Sequence, residues 1–203
     1  MSSEELVLPF PAPEGSLGAA TEVRSTLIAS SIASLRKHGR FEEYQRILSP
    51  AYRDIVLSTV AGVWLPMEVG HAHYEACDRL GLGAQEQVDI GAEVSTKIHE
   101  TFLGTVLRMA KQAGVTPWVL LTRGNQMYSR LFQGGCGVRV IKYGPKEARA
   151  DIRGIPLFEM PYFRNALRGI YQAAVGVFCT QAYVQEIARE GSPTRVALKV
   201  SWV

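Results

Sequence analysis

Two histidines and a cysteine come closest to a metal-binding pattern in this sequence. In a helix through this segment, His73 and Cys77 are one turn apart on a largely apolar face, whereas His71 is turned towards the charged side. A closed zinc site needs four ligands, and the spacing does not show that Cys136 or Cys179 joins this pair. We therefore predict a histidine at the edge of the core beside a buried thiol, and no metal.

His99 and Cys136 are the other residues whose side chains could bind a cofactor or react. A histidine in an apolar helix can ligate haem, but a single one has little specificity, and no covalent haem-attachment motif is present. Cys136 lies in a Gly-Gly-Cys-Gly run. Such a run could expose a thiolate or bind an anion, and it equally suits a turn from a helix into a strand. We favour the turn and expect no catalytic residue and no cofactor, while the chemical roles of His73, His99 and Cys136 stay open.

Aromatic and apolar stripes are the best candidates for binding. One predicted helix follows Thr116-Pro117 and ends at Gly134-Gly135, and another runs from Pro161 to about Cys179. Such stripes usually belong to a core, but a pocket between the two helices would be lined by large apolar side chains and one polar amide. The candidate ligand-binding residues are Trp118, Leu121, Asn125, Tyr128, Phe132, Phe163, Leu167 and Ile170.

Small residues form a second stripe on the helix from Pro161: Ala166, Gly169, Ala173 and Gly176. A glycine inside a helix costs about 1 kcal/mol relative to alanine, so another interaction should offset it. Close packing within the chain is the favoured explanation. The alternatives are a helix-to-helix dimer interface and a space beside the helix for an apolar ligand.

The elements follow from a change of period at Gly135. Residues 20–134 have a helical pattern, whereas residues 135–203 contain alternating segments that predict strand-strand-helix-strand-strand. The prediction is an α+β fold in which the helical half packs with a C-terminal ββαββ antiparallel sheet and helix, as a single domain over residues 20–203. Residues 1–19 contain Pro9, Pro11 and Pro13 and are expected to form a flexible arm. The alternative is a docking peptide.

Composition narrows the class of protein. Hydrophobic residues make up 47% and charged residues 20%, values typical of a globular chain. The net charge is −2 for residues 1–134 and +5 for residues 135–203. A solvated sheet face with cross-strand Arg–Glu pairs explains the excess of positive charge better than nucleic-acid binding, because no aromatic residues interleave the basic positions. The absence of a signal sequence and of long apolar runs predicts a cytoplasmic protein without membrane insertion.

The order of elements resembles the 4-vinyl reductase and haem-nitric-oxide-binding superfamily, which includes small-molecule sensor domains. The motifs Gly154-Ile155-Pro156, Pro161-Tyr162-Phe163 and Leu167-Arg168-Gly169, with the final strand, also resemble a family of uncharacterised bacterial proteins of similar length. Haem-binding members carry a Tyr-x-Ser-x-Arg motif, but Tyr128-Ser129-Arg130 lacks that spacing. Zinc-binding members carry several cysteines near the final hairpin, where this chain has Cys179. We carry over neither haem nor metal.

The resemblance and the absence of a catalytic set lead to one functional expectation. The chain should be a non-enzymatic sensor or adaptor domain in signalling that binds a small apolar ligand, a protein partner or both, with a homodimer as the expected assembly. The alternatives are a homodimeric scaffold and, with less support, a haem- or metal-binding protein or a thiol enzyme.

Overall fold

The computed structural model describes residues 4–102 and 116–203, apart from the side chains of residues 99–102. Most of the described helices lie between β1 and β5, two strands of the large sheet. The helices are α1 (Ser25–Lys37), α2 (Phe41–Ile47), α3 (Pro50–Ser58), α4 (Met67–Asp78), α5 (Ala84–Phe102), α6 (Trp118–Leu121), α7 (Gly124–Leu131) and α8 (Pro161–Gly176). The strands are β1 (Glu5–Leu8), β2 (Ala20–Arg24), β3 (Trp64–Pro66), β4 (Phe132–Gly134), β5 (Gly137–Gly144), β6 (Glu147–Arg153), β7 (Ala182–Glu186) and β8 (Arg195–Trp202).

A five-stranded antiparallel sheet has the order β1-β5-β6-β8-β7. Its strands alternate between buried apolar residues and polar residues because successive side chains point to opposite faces. Val140, Ala150 and Leu198 are paired across β5, β6 and β8, and all three are buried. The helices α7 and α8 pack against strands of this sheet. The α+β prediction, with its ββαββ unit, is confirmed.

Strands also occur inside the segment predicted to be helical. β3, β2 and β4 form a second antiparallel sheet in that order. The helix predicted to end at Gly134-Gly135 is interrupted at Thr122-Arg123, so that it becomes α6 and α7, and its last residues become β4. β3 and β4 have three residues each, too few for a period of two to be recognised, and the five residues of β2 do not alternate between buried and exposed. The pairing of all three strands depends on residues distant in the sequence.

The prediction of a flexible arm over residues 1–19 is wrong for residues 5–8. These residues form β1, which pairs with β5 at the edge of the large sheet. Prolines exclude a helix, but an edge strand that ends before Pro9 loses no ladder hydrogen bond to them. The Nδ2 atom of Asn125 donates to the Pro9 carbonyl oxygen at 2.9 Å, which holds the chain after β1.

Helices α5 and α8 pack closely through their backbones. A Cβ atom at Gly169 would lie 1.9 Å from the Val88 carbonyl oxygen, and one at Gly91 would lie 2.0 Å from the Ala166 carbonyl oxygen. Ala166 and Gly169 therefore contact α5 of the same chain. Ala173 is half-buried and Gly176 is exposed, so a dimer interface over these positions stays a prediction.

Ion pairs cover the polar face of the sheet. Arg139 and Arg149 both contact Asp151, and Lys199 contacts Glu147 across the strands. Cross-strand ion pairs are thus present, but they join Arg139 to Asp151 and Lys199 to Glu147 instead of arginine to glutamate, and Asp151 is buried. Among the described residues, no helix is long and apolar enough to span a membrane.

Candidate ligand-binding cavity

An apolar cavity lies where α5, α7 and α8 meet the large sheet. Its volume is about 80 Å³, several times the space that one water molecule requires. Most of the predicted binding residues line it: Leu121, Tyr128, Phe132, Phe163, Leu167 and Ile170. Helix α5 adds Ser95 and Ile98, and strand β5 adds Val138 and Val140. Two predicted helices and a strand therefore converge on one apolar cavity.

Two of the predicted binding residues lie outside the described lining of the cavity. The indole Nε1 of Trp118 donates to the Pro145 carbonyl oxygen at 2.9 Å, and its ring packs edge-on against Trp202. The Asn125 side chain donates to Pro9 and accepts from the Val138 amide at 2.8 Å. Asn125 therefore joins α7 to the arm and to β5, whereas Trp118 joins α6 to the β5–β6 turn and to β8.

The polar groups of the cavity are hydroxyls. The Tyr128 and Tyr171 hydroxyl oxygens lie 3.3 Å apart, and each can satisfy the other. Burial raises the pKa of Tyr171 to about 12 and that of Tyr128 well above its ordinary value, so both remain phenols at neutral pH. Ser95 is fully buried, and its Oγ has no hydrogen-bond partner among the described residues.

Sequence reasoning did not identify Tyr171 or Ser95 as lining residues. Tyr171 follows Leu167 by one helical turn, so the apolar stripe could have been extended to it. A lone serine in a helix carries no comparable signal. Ser95 lines the cavity because the fold turns the face of α5 with Ser95 and Ile98 towards it.

A separate polar cluster is buried in the helical half. His73 Nδ1 and the Tyr44 hydroxyl are joined by a hydrogen bond of 2.6 Å, and Cys77 Sγ lies 3.7 Å from His73 Nε2. Burial lowers the pKa of His73 to about 3 and raises that of Cys77. Imidazole and thiol are therefore both neutral at physiological pH. The predicted neighbourhood of His73 and a buried thiol is found, but His73 is completely buried and does not lie at the edge of the core.

The remaining candidate residues are dispersed. His71 is on the surface, where Nε2 contacts Glu159. Burial raises the pKa of Cys136 to about 11, so its thiolate is scarce near neutral pH. Cys179 Sγ donates to the Val175 carbonyl oxygen. The His99 side chain lies outside the described residues, and within them no group of three potential metal ligands is found.

Comparison with known proteins finds a similarity of structure. No family model matches the sequence, and no curated protein matches it. The Fe(II) unliganded H-NOX protein from K. algicida superposes with a TM-score of 0.65 at 10% identity, covering 89% of this chain and 96% of that one. A Cs H-NOX mutant with an unnatural amino acid superposes with a TM-score of 0.61 at 11% identity, covering 88% of this chain and 96% of that one.

An oxygen-binding H-NOX domain related to soluble guanylate cyclases also matches. Its TM-score is 0.57 at 12% identity, and the match covers 88% of this chain and 94% of that domain. At these identities the likeness establishes the fold alone. The predicted resemblance to haem-nitric-oxide-binding domains is confirmed at that level, whereas the 4-vinyl reductase part stays a prediction.

Work on other matching H-NOX structures concerns their haem, so the cavity must be tested against that group. Proteins hold haem iron through histidine, a cysteine thiolate, a tyrosine phenolate or a methionine opposite histidine. The described lining contains neither histidine nor cysteine, and its tyrosines stay protonated. It also contains no arginine or lysine to pair with propionates. The described residues of the cavity therefore do not fit haem.

Proposed function

We propose that this chain is a non-enzymatic sensor or adaptor domain that binds a small apolar ligand in the cavity between α5, α7, α8 and the large sheet. The observation that carries this proposal is the open apolar volume of about 80 Å³ within the protein. Protein interiors are close-packed and leave few voids larger than a water molecule. A ligand that fills the cavity would gain the contacts that its walls now lack.

The arrangement of the walls supports signalling. The cavity is bounded by α8, which packs closely on α5, and by β5 of the large sheet. A ligand that binds more tightly at one spacing of α5, α8 and β5 would increase the population of molecules with that spacing. A protein partner that reads this shift, and a homodimer that transmits it, remain predictions that follow from the same proposal.

Thermal unfolding with and without xenon or benzene tests the proposal. Both probes bind dry apolar cavities, and binding to the folded state raises the apparent stability as the free ligand exceeds its Kd. We expect the melting temperature of the wild-type chain to rise with probe concentration. In Ala174→Leu the added side chain occupies the cavity, so the rise should be lost.

Gln172→Leu is the matched control, because it enlarges the apolar surface of the same helix outside the cavity lining. It should retain the full response to both probes. A wild-type melting temperature that neither probe changes would contradict the proposed function. Equal responses in the wild type and Ala174→Leu would show that the probes bind elsewhere.

A further inference from the structure

The hydroxyl of Ser95 is a buried polar group without a partner among the described residues, in a nearly apolar cavity. Serine in a helix often donates back to the carbonyl of the preceding turn. The next residue does so, since Thr96 Oγ1 lies 3.2 Å from the Ala92 carbonyl oxygen. Ser95, which is fully buried, makes no such bond. An unpaired hydroxyl is costly in the interior, and Ser95 is one of the residues that line the cavity, so a ligand that reaches its Oγ would supply the missing partner.

The other hydroxyls of the cavity leave Ser95 as the group available for recognition. Tyr128 and Tyr171 lie within hydrogen-bonding distance of each other. The described lining has no Asp, Glu, Lys, Arg or His side chain that could neutralise a charged ligand. An ion in such surroundings would remain unpaired. Because burying an unpaired charge costs more free energy than burying a neutral polar group, the cavity favours neutral ligands.

We infer that the ligand is a small apolar molecule with one neutral hydrogen-bonding group, a hydroxyl or a carbonyl, that pairs with Ser95 Oγ. This inference rests on the proposed function, because it requires a ligand in the same cavity. A hydroxyl on the ligand can donate to or accept from the serine, and a carbonyl can accept from it. The rest of the molecule contacts the apolar walls.

Phenol and benzene form the matched probe pair, since they differ by a single hydroxyl. Their Kd values are measured by chemical-shift titration with the wild type, Ser95→Ala and Ser95→Thr. We expect Ser95→Ala to weaken phenol binding about tenfold while changing benzene binding little, as expected for the loss of one hydrogen bond. Ser95→Thr keeps a hydroxyl and should preserve the ratio of the two Kd values.

Thr26→Val is the control for removing an unpaired buried hydroxyl elsewhere. Thr26 Oγ1 also lacks a partner among the described residues, but Thr26 is not part of the described lining. This variant should leave both Kd values unchanged. If Ser95→Ala binds phenol as well as the wild type does, or if phenol does not bind the wild type while benzene or xenon does, the inference is overturned and the proposed function stands. If no probe binds the wild type, both fail.

Discussion

The buried imidazole of His73 links the stability of the chain to pH. Its pKa is lowered by burial from 6.5 to about 3. Between these values the unfolded chain binds a proton that the folded chain does not, so folding stability rises with pH and is lost as pH falls below 6.5. The expected loss is about 1.4 kcal/mol per pH unit in this window. Urea unfolding at pH values between about 5 and 6.5 measures this slope.

The double variant His73→Leu with Tyr44→Phe removes both partners of the buried hydrogen bond and should flatten the slope. His71→Gln, on the surface of the same helix, should keep it. Glu93 titrates in a lower window: burial opposes its ionisation, but hydrogen bonds from Lys37 and Ser34 lower its pKa from 4.5 to about 2. A slope that persists in the double variant would exclude His73 as its source.

Single residues also mark the limit of sequence reasoning about the site. Tyr128, Phe163 and Leu167 could be predicted because large apolar residues repeat at helical spacing and face a core. Asn125 and Trp118 carry the same spacing, yet their hydrogen bonds to the arm and the β5–β6 turn keep them from the described lining. Such partners lie far away in the sequence, so no local pattern reveals them.

At the scale of elements, the close approach of α5 and α8 makes one glycine sensitive to substitution and another tolerant. A Cβ at Gly169 would lie 1.9 Å from the Val88 carbonyl oxygen, so Gly169→Ala must separate the two helices. We expect it to lower the free energy of unfolding by about 1–3 kcal/mol, because overpacking outweighs the gain in helix propensity. Chemical denaturation measures the change.

Gly176→Ala is the matched control on the same helix. Gly176 is exposed, and no neighbouring group among the described residues lies within 4 Å of the point that a Cβ atom would take there. This substitution should be neutral or stabilising by up to about 1 kcal/mol. If both variants are equally stable, α5 and α8 can separate without cost, and the tight seam does not contribute to stability.

The boundaries of elements were predictable where a local pattern decides them. The alternation in Glu147–Arg153 and Arg195–Trp202 defines half-buried strands, and Pro161 at a first helical turn marks the start of α8. β2 and β4 could not be found in this way. Val23 pairs with Leu65 in β3 and with Phe132 in β4, so the strand exists because two distant segments meet on it.

At the scale of the whole molecule, the fold that this chain shares with H-NOX domains does not by itself determine what the cavity binds. The fold brings helices and a sheet together around a space, whereas the chemistry of that space follows from the residues that line it. Apolar side chains, two phenols and one unpaired serine hydroxyl favour a neutral ligand held mainly by contact. The N-terminal segment also matters to the whole molecule. β1 forms one edge of the large sheet, although its sequence predicts a flexible arm.

Removal of β1 tests what this edge strand contributes to the molecule. Deleting residues 1–9 would expose the backbone groups of β5 and remove Leu8, which packs against the core. An exposed strand edge is a template for pairing with another chain. We therefore expect a lower unfolding midpoint and concentration-dependent self-association by light scattering. Deleting residues 1–4 leaves β1 intact and should change neither property. If the longer deletion retains the stability and assembly state of the full chain, β1 is a passive addition, and the sheet edge at β5 must be protected by another feature.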